Sequence, residues 1–154
     1  MTTKFSEPML ATTAHTHRTI VHPAGHYAAI CVQTDVPGYT DDGFPIRRLR
    51  FGTTARRPDG QPFIIERRFR GPFHRPNSLP AFIDAWQGRA LHPSESWANF
   101  PWKTLIGAAA ALTVDIADYL TGPTVARITR IGPCDQNLVA GLKQELMKSP
   151  AVSG

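Results

Sequence analysis

A four-residue signal, Arg57-Pro58-Asp59-Gly60, separates two runs that alternate with a period of two, and no other stretch constrains the fold as tightly. Proline suits the second position of a tight turn because its ring presets φ, and glycine suits the end because it tolerates positive φ. Before the turn, residues 46–54 put Arg47, Leu49, Phe51 and Thr53 on one face and Arg48, Arg50 and Gly52 on the other. After it, residues 62–70 put Phe63, Ile65, Arg67 and Phe69 on one side and Ile64, Glu66, Arg68 and Arg70 on the other. Such alternation marks strands with one buried face, so the segment predicts an antiparallel hairpin with a charged side. Arg67, sharing a side with three apolar residues, implies either a barrel end or a bulged register.

The hairpin also holds the positive charge. Between Phe44 and Arg75 lie nine arginines, opposed only by Asp59 and Glu66, a local balance of +7 in a chain whose formal net charge is +5. The rest of the chain is therefore slightly acidic. A run of charge by itself usually makes a solvated face. Here every cation is arginine, whose planar fork pairs with phosphate and whose flat guanidinium stacks on bases. Arg47, Arg48, Arg50, Arg68 and Arg70 on the strands, Arg56 and Arg57 at the tip and Arg75 beyond the base are the candidate phosphate contacts. Candidate base platforms are Tyr39 and Phe44 around the loop at 37–43, Phe73 after the third strand and Tyr119 before the last turn. Each stacked base is worth roughly 1–3 kcal/mol. Phe51, Phe63 and Phe69 read as core from their alternation, and Trp86 and Trp97 as packing residues. For Tyr39 and Phe44, stacking and packing are balanced readings.

Elsewhere the pattern predicts three more strands and two helices. Residues 1–22, rich in Thr, His and Ala without apolar period, read as a mobile arm, and 23–25 (Pro-Ala-Gly) as the start of structure. In a first strand at 26–36, Tyr27, Ala29, Cys31 and Gln33 alternate with Ala28, Ile30 and Val32. Asn77-Ser78 can cap a helix whose Leu79, Phe82, Ile83 and Trp86 follow the i, i+3, i+4, i+7 spacing, with Gly88 as its stop. Residues 92–96 suit a short helical turn. A fourth strand at 110–117 turns Leu112, Val114 and Ile116 inward. A fifth at 124–131 separates Val125 from Ala126, Ile128 and Arg130. From Asp135 onward, Leu138, Val139, Leu142 and Leu146 mark a C-terminal helix.

Three strands, a helix and two strands is the order of a mainly all-β OB-fold, a five-stranded Greek-key barrel with a helix between strands 3 and 4. Another small barrel or an α+β sheet shares part of this order. The division expected is 1–22 arm, 23–134 OB-fold domain and 135–154 C-terminal helix and tail. With 154 residues and 42% hydrophobic content, one domain with one core is the natural reading.

Several function classes lose support. No apolar run reaches the ~18–20 residues of a membrane span, and residues 1–10 lack the pattern of a secretory signal, so a cytoplasmic protein is expected. Cys31 and Cys134 are too few and too far apart for a disulfide framework or metal knuckle, and read as reduced thiols. His15, His17, His22 and His26 fit no rigid ligand set. Asp41-Asp42 is explained by turn chemistry, and there is no glycine-rich phosphate loop, nucleophile elbow or HExxH. No enzyme activity, no cofactor and no metal are expected.

The strings PAGHYAAICVQ (23–33), DGQPFIIERRF (59–69), NSLPAFIDAWQGR (77–89), LIG (105–107) and VARITRIGP (125–133) resemble a family of small phage and prophage proteins, in the same order and spacing. Members of that family are regarded as single-stranded-DNA-binding-like OB-fold proteins. Where they typically have Ser-Asn-Leu at the helix start, this chain has Asn77-Ser78-Leu79, and Pro80 stands where a basic residue is common. The resemblance implies a sequence-tolerant protein of phage or mobile-element replication or recombination in the bacterial cytoplasm. Its partners would be single-stranded DNA, with RNA not excluded, and replication or recombination proteins. A rival expectation is an adaptor domain that docks such a replication factor or inhibits a host nucleic-acid enzyme.

Overall fold

Tight turns and alternating strands build the molecule outward from β1, Gly25–Tyr39, in a computed structural model that describes residues 20–71, 78–88, 100–117 and 124–147. The other strands are β2 (Pro45–Arg56), β3 (Pro62–Arg70), β4 (Ala109–Ala117) and β5 (Val125–Gly132). Helix α1 (Ser78–Gln87) falls between β3 and β4 in the chain, and α2 (Ala140–Met147) follows a 3-10 turn at Gln136–Val139. All five strands pair antiparallel in one sheet of order β3-β2-β1-β4-β5. The protein is thus mainly β with two short helices. Among the described residues no ladder joins β3 to β5, so the sheet has two edges rather than the closed wall the strand order predicts. No described helix is long and apolar enough to cross a membrane.

The β2–β3 turn forms as its residues dictate. Gly60 N–H donates to Arg57 O at 2.9 Å, and Arg57 N–H donates to Gln61 O at 2.8 Å. Gly60 takes φ +87°, the left-handed conformation that favours glycine. The ladder then runs Arg48 opposite Arg68, Arg50 opposite Glu66 and Phe51 opposite Ile65.

Central position explains β1. Ala29, Ile30, Cys31 and Val32 are all buried, because both faces of this strand are covered. On one face Ala29 and Cys31 join Leu49, Phe51, Phe69, Leu112 and Val114 under α1, whose Leu79, Phe82, Ile83 and Trp86 form the apolar stripe the spacing predicts. Trp86 packs edge-on to Phe51 at 5.3 Å, and its indole N–H donates to Ala109 O at 2.7 Å. On the opposite face Ile30 and Val32 meet Val139, Leu142 and Leu146 of the C-terminal segment. Burying such a side chain is worth about 1.5–3 kcal/mol, so the C-terminal helix is part of the fold and not an appendage.

Four details differ from the sequence expectation. First, β1 runs three residues further, through Pro37 to Tyr39, which absorbs half of the expected loop. A register shift between Asp35 and Gly38 takes up the proline, whose missing N–H is tolerated where pairing is interrupted. Second, a shift between Cys31 and Gln33 moves Gln33 off the core face and places it opposite Arg50. Third, Ile116 keeps the inward parity of Val114 but is 39% exposed, since the β4–β5 ribbon projects past the core there. Fourth, His22, placed in the arm by composition, is only 4% exposed. The expected arm at 1–19 and the helical turn at 92–96 lie outside the described residues.

Candidate nucleic-acid interface

Four of the expected phosphate contacts, Arg48, Arg50, Arg68 and Arg70, share the face of β2–β3 that points away from α1. Pleating puts them there: their neighbours Leu49, Phe51 and Phe69 are taken by the core. Arg48 and Arg68 are directly opposed, a pairing of like charges that two strands tolerate only with compensation.

The compensation comes from β1 and β3. Both nitrogens of the Arg48 fork reach Asp35, with Nε to Oδ1 at 2.9 Å, and this bond holds the Asp35 carboxyl below the usual carboxylate range. Arg48 is raised in turn by the same hydrogen bond. Glu66 accepts from Arg68 Nε at 2.8 Å and from Arg50 Nε at 3.2 Å. Burial pushes the Glu66 carboxyl up, but those two bonds outweigh it and leave it lowered. Arg50 also donates to Gln33 Oε1 at 3.1 Å, a contact that exists because of the bulge in β1. Strict alternation puts Asp35 and Gln33 on the core face, so only the register shifts in β1 bring them into the site.

The remaining arginines divide. Arg56 at the hairpin tip donates to Glu145 of α2 at 2.7 Å and so ties the C-terminal helix to the ribbon. Arg57 lies 3.7 Å from Asp59 within the turn. Arg47 is not on the outer face. It points inward, stacks over Trp102 at 4.2 Å and donates to Thr34 Oγ1 at 3.2 Å, and burial lowers its pKa. Of the aromatic candidates, Tyr39 is 67% exposed and Phe44 39% exposed, flanking the Thr40–Gly43 turn that joins β1 to β2. Arg75, Phe73 and Tyr119 lie outside the described residues.

Arg67 needs no bulge. It lies inward opposite Leu49, where the two edges of the sheet approach, and Nη1 donates to Ile128 O of β5 at 3.2 Å. Its guanidinium sits 4.9 Å from the Phe69 ring and 5.1 Å from that of Phe82. Burial, and then repulsion from Arg127, lowers its pKa. Arg127 and Arg130, both exposed on β5, join Arg67 in this region. Nothing in a single strand's pattern brings them to the hairpin, because only the curl of the sheet does so.

Other chemistry has little to stand on among the described residues. Burial raises the Cys31 thiol to about 12, and raises Cys134 as well, with Asp135 adding to it, so neither thiol ionises readily near neutral pH. No group of three His, Cys, Asp or Glu side chains there is placed to hold a metal. Set against models of known protein families and against curated protein sequences, the chain matches none.

Proposed function

We propose that this chain is a single-stranded nucleic-acid-binding domain of OB type, acting on single-stranded DNA with little sequence preference. The carrying observation is the outward face of β2–β3, where Arg48, Arg50, Arg68 and Arg70 cluster within one hairpin, with exposed Tyr39 and Phe44 at the neighbouring β1–β2 turn. A positive surface beside aromatic platforms is what sequence-tolerant single-strand binding needs. The architecture supports the reading. The order β3-β2-β1-β4-β5, with α1 between β3 and β4 and with Arg67 spanning the two edges, fits a five-stranded Greek-key barrel whose β3–β5 closure is made by side chains. The resemblance to phage and prophage single-strand binders points the same way, toward replication or recombination of a mobile element.

The test is a fluorescence anisotropy titration of labelled oligo-dT and of a matched duplex at two salt concentrations. The expected result is tighter binding of the single strand, weakening steeply with salt because counterions are released. Failure of either nucleic acid to bind at low salt removes the proposal.

A further inference from the structure

On the outer face two carboxylates, Asp35 and Glu66, hold three of the four arginines, whereas at the seam between β3 and β5 Arg67, Arg127 and Arg130 are in no ion pair among the described residues. Two grooves flank Arg67 there. One, of about 320 Å³, is lined by Glu66, Arg67, Arg68 and Arg127, and the other, of about 350 Å³, by Arg67, Phe82, Thr129 and Arg130. Together they hold four arginines against one carboxylate, and Glu66 is already engaged by Arg68 and Arg50. Arg67, Arg127 and Arg130 make no ion pair among the described residues. Asp115 stands opposite Arg127 across the ladder, yet its Oδ2 accepts from the Thr129 hydroxyl at 2.6 Å. The repulsion between Arg127 and Arg67 is a cost the fold bears without an internal counter-charge.

We propose that this seam is a phosphate-binding site that seats the backbone of the bound single strand, as a second site continuous with the outer face. The inference rests on the reading of the protein as a nucleic-acid binder and adds where the strand runs. Arg68 makes the connection, because it stands opposite Arg48 on the outer face and also lines the seam beside Arg127. The Phe82 and Phe69 rings and the hydrogen bond to Ile128 O hold the Arg67 guanidinium in place before a ligand arrives.

Two measurements on the full chain separate this proposal from the one beneath it. Arg127→Gln with Arg130→Gln removes exposed cations that hold no ion pair and relieves the repulsion on Arg67, so an unfolding midpoint at or slightly above the parent's reports an intact fold. For oligo-dT the double variant is expected to bind roughly tenfold more weakly, the scale of lost contacts to a charged group. The slope of log affinity on log salt should fall by about 1.4, as for two lost phosphates on a single strand. Unchanged affinity and slope, with Arg48→Gln weakening the same titration, overturn the seam and leave the proposed function in place. In the second measurement, inorganic pyrophosphate is titrated into the isotope-labelled protein and the arginine side-chain NMR signals are followed. Saturable shifts at Arg67, Arg127 and Arg130 support the seam. Uniform weak shifts across all arginines overturn it. If oligo-dT does not bind the parent protein at all, the proposed function fails and the pyrophosphate titration alone decides the seam.

Discussion

Gly52 and Leu146 show how much of the fold can depend on one missing side chain. A Cβ on Gly52 would meet Leu146 Cδ1 at 2.2 Å, so the Leu146 side chain takes its present seat on β2 because position 52 is bare. Gly52→Ala is expected to destabilise the protein by about 1–3 kcal/mol, the range for overpacking. In denaturant unfolding, the pair Gly52→Ala with Leu146→Ala should cost less than the two single changes added together, because each relieves the other. Strict additivity would place the helix elsewhere in solution. His22 makes a second residue-level case. Its Nε2 lies 2.7 Å from Thr53 Oγ1 and its Nδ1 2.8 Å from Pro23 O, which fits a neutral ring with the proton on Nδ1. The ring packs 4.7 Å from Tyr27 and 5.0 Å from Phe63, and burial, partly offset by the Pro23 bond, lowers its pKa below the ordinary value near 6.5. The unfolded chain therefore takes up this proton first as pH falls. Stability from His22 is complete above about pH 6.5 and declines from there toward the lowered folded value. Unfolding midpoints measured from pH 8 to pH 5 should show that decline, and His22→Gln should flatten it.

The hairpin is the element whose behaviour was most legible in the chain itself. Its turn, both faces and the burial of Leu49, Phe51, Ile65 and Phe69 follow from Arg57-Pro58-Asp59-Gly60 and a period of two. The α1 stripe was equally plain, since helical spacing with a capping pair and a terminal glycine has few other meanings. What the pattern could not carry was register. The two shifts in β1 decide that Gln33 and Asp35 face the arginines, and a bulge leaves no strong signature in residue types. The β1 shifts seat Asp35 on Arg48, and the regular β2–β3 ladder seats Glu66 between Arg50 and Arg68, so residue types alone overstate the free charge of this face. A prediction belongs to this scale: Asp35→Asn releases Arg48 and Glu66→Gln releases Arg50 and Arg68. Each variant should bind oligo-dT more tightly than the parent, with a salt slope steeper by about 0.7 for each arginine that gains a phosphate. Weaker binding by either variant, with the fold intact, would mean that the carboxylates position the guanidinium groups and do not compete for them.

At the scale of the molecule, β1 is a shared wall between two cores. One side belongs to α1 and the other to the C-terminal segment, where the Gln136 side chain accepts from Ala109 N–H at 3.0 Å and donates to Gly107 O at 2.8 Å. That amide takes the position a further strand would occupy and fastens the C-terminal segment to the start of β4. Truncation after Pro133 should therefore expose Ile30, Val32 and Ala109 together and either lower the unfolding midpoint sharply or drive self-association, read by calorimetry and light scattering. A soluble truncation of unchanged stability would contradict the second core. The composition of this segment announced a helix but not its partner, because contacts between residue 30 and residue 142 leave no local trace in sequence.

The carboxylates seated on the arginine face set a threshold for whatever comes to it. Asp35 and Glu66 are tethered to the guanidinium groups they hold, so an incoming anion competes with a rival that never diffuses away, at an effective concentration on the millimolar scale or above. On the proposed function, a lone nucleotide brings one phosphate to that contest and should be turned back. A polymer brings many at once, each displacement raising the chance of the next, so the face should distinguish chain length before it distinguishes bases.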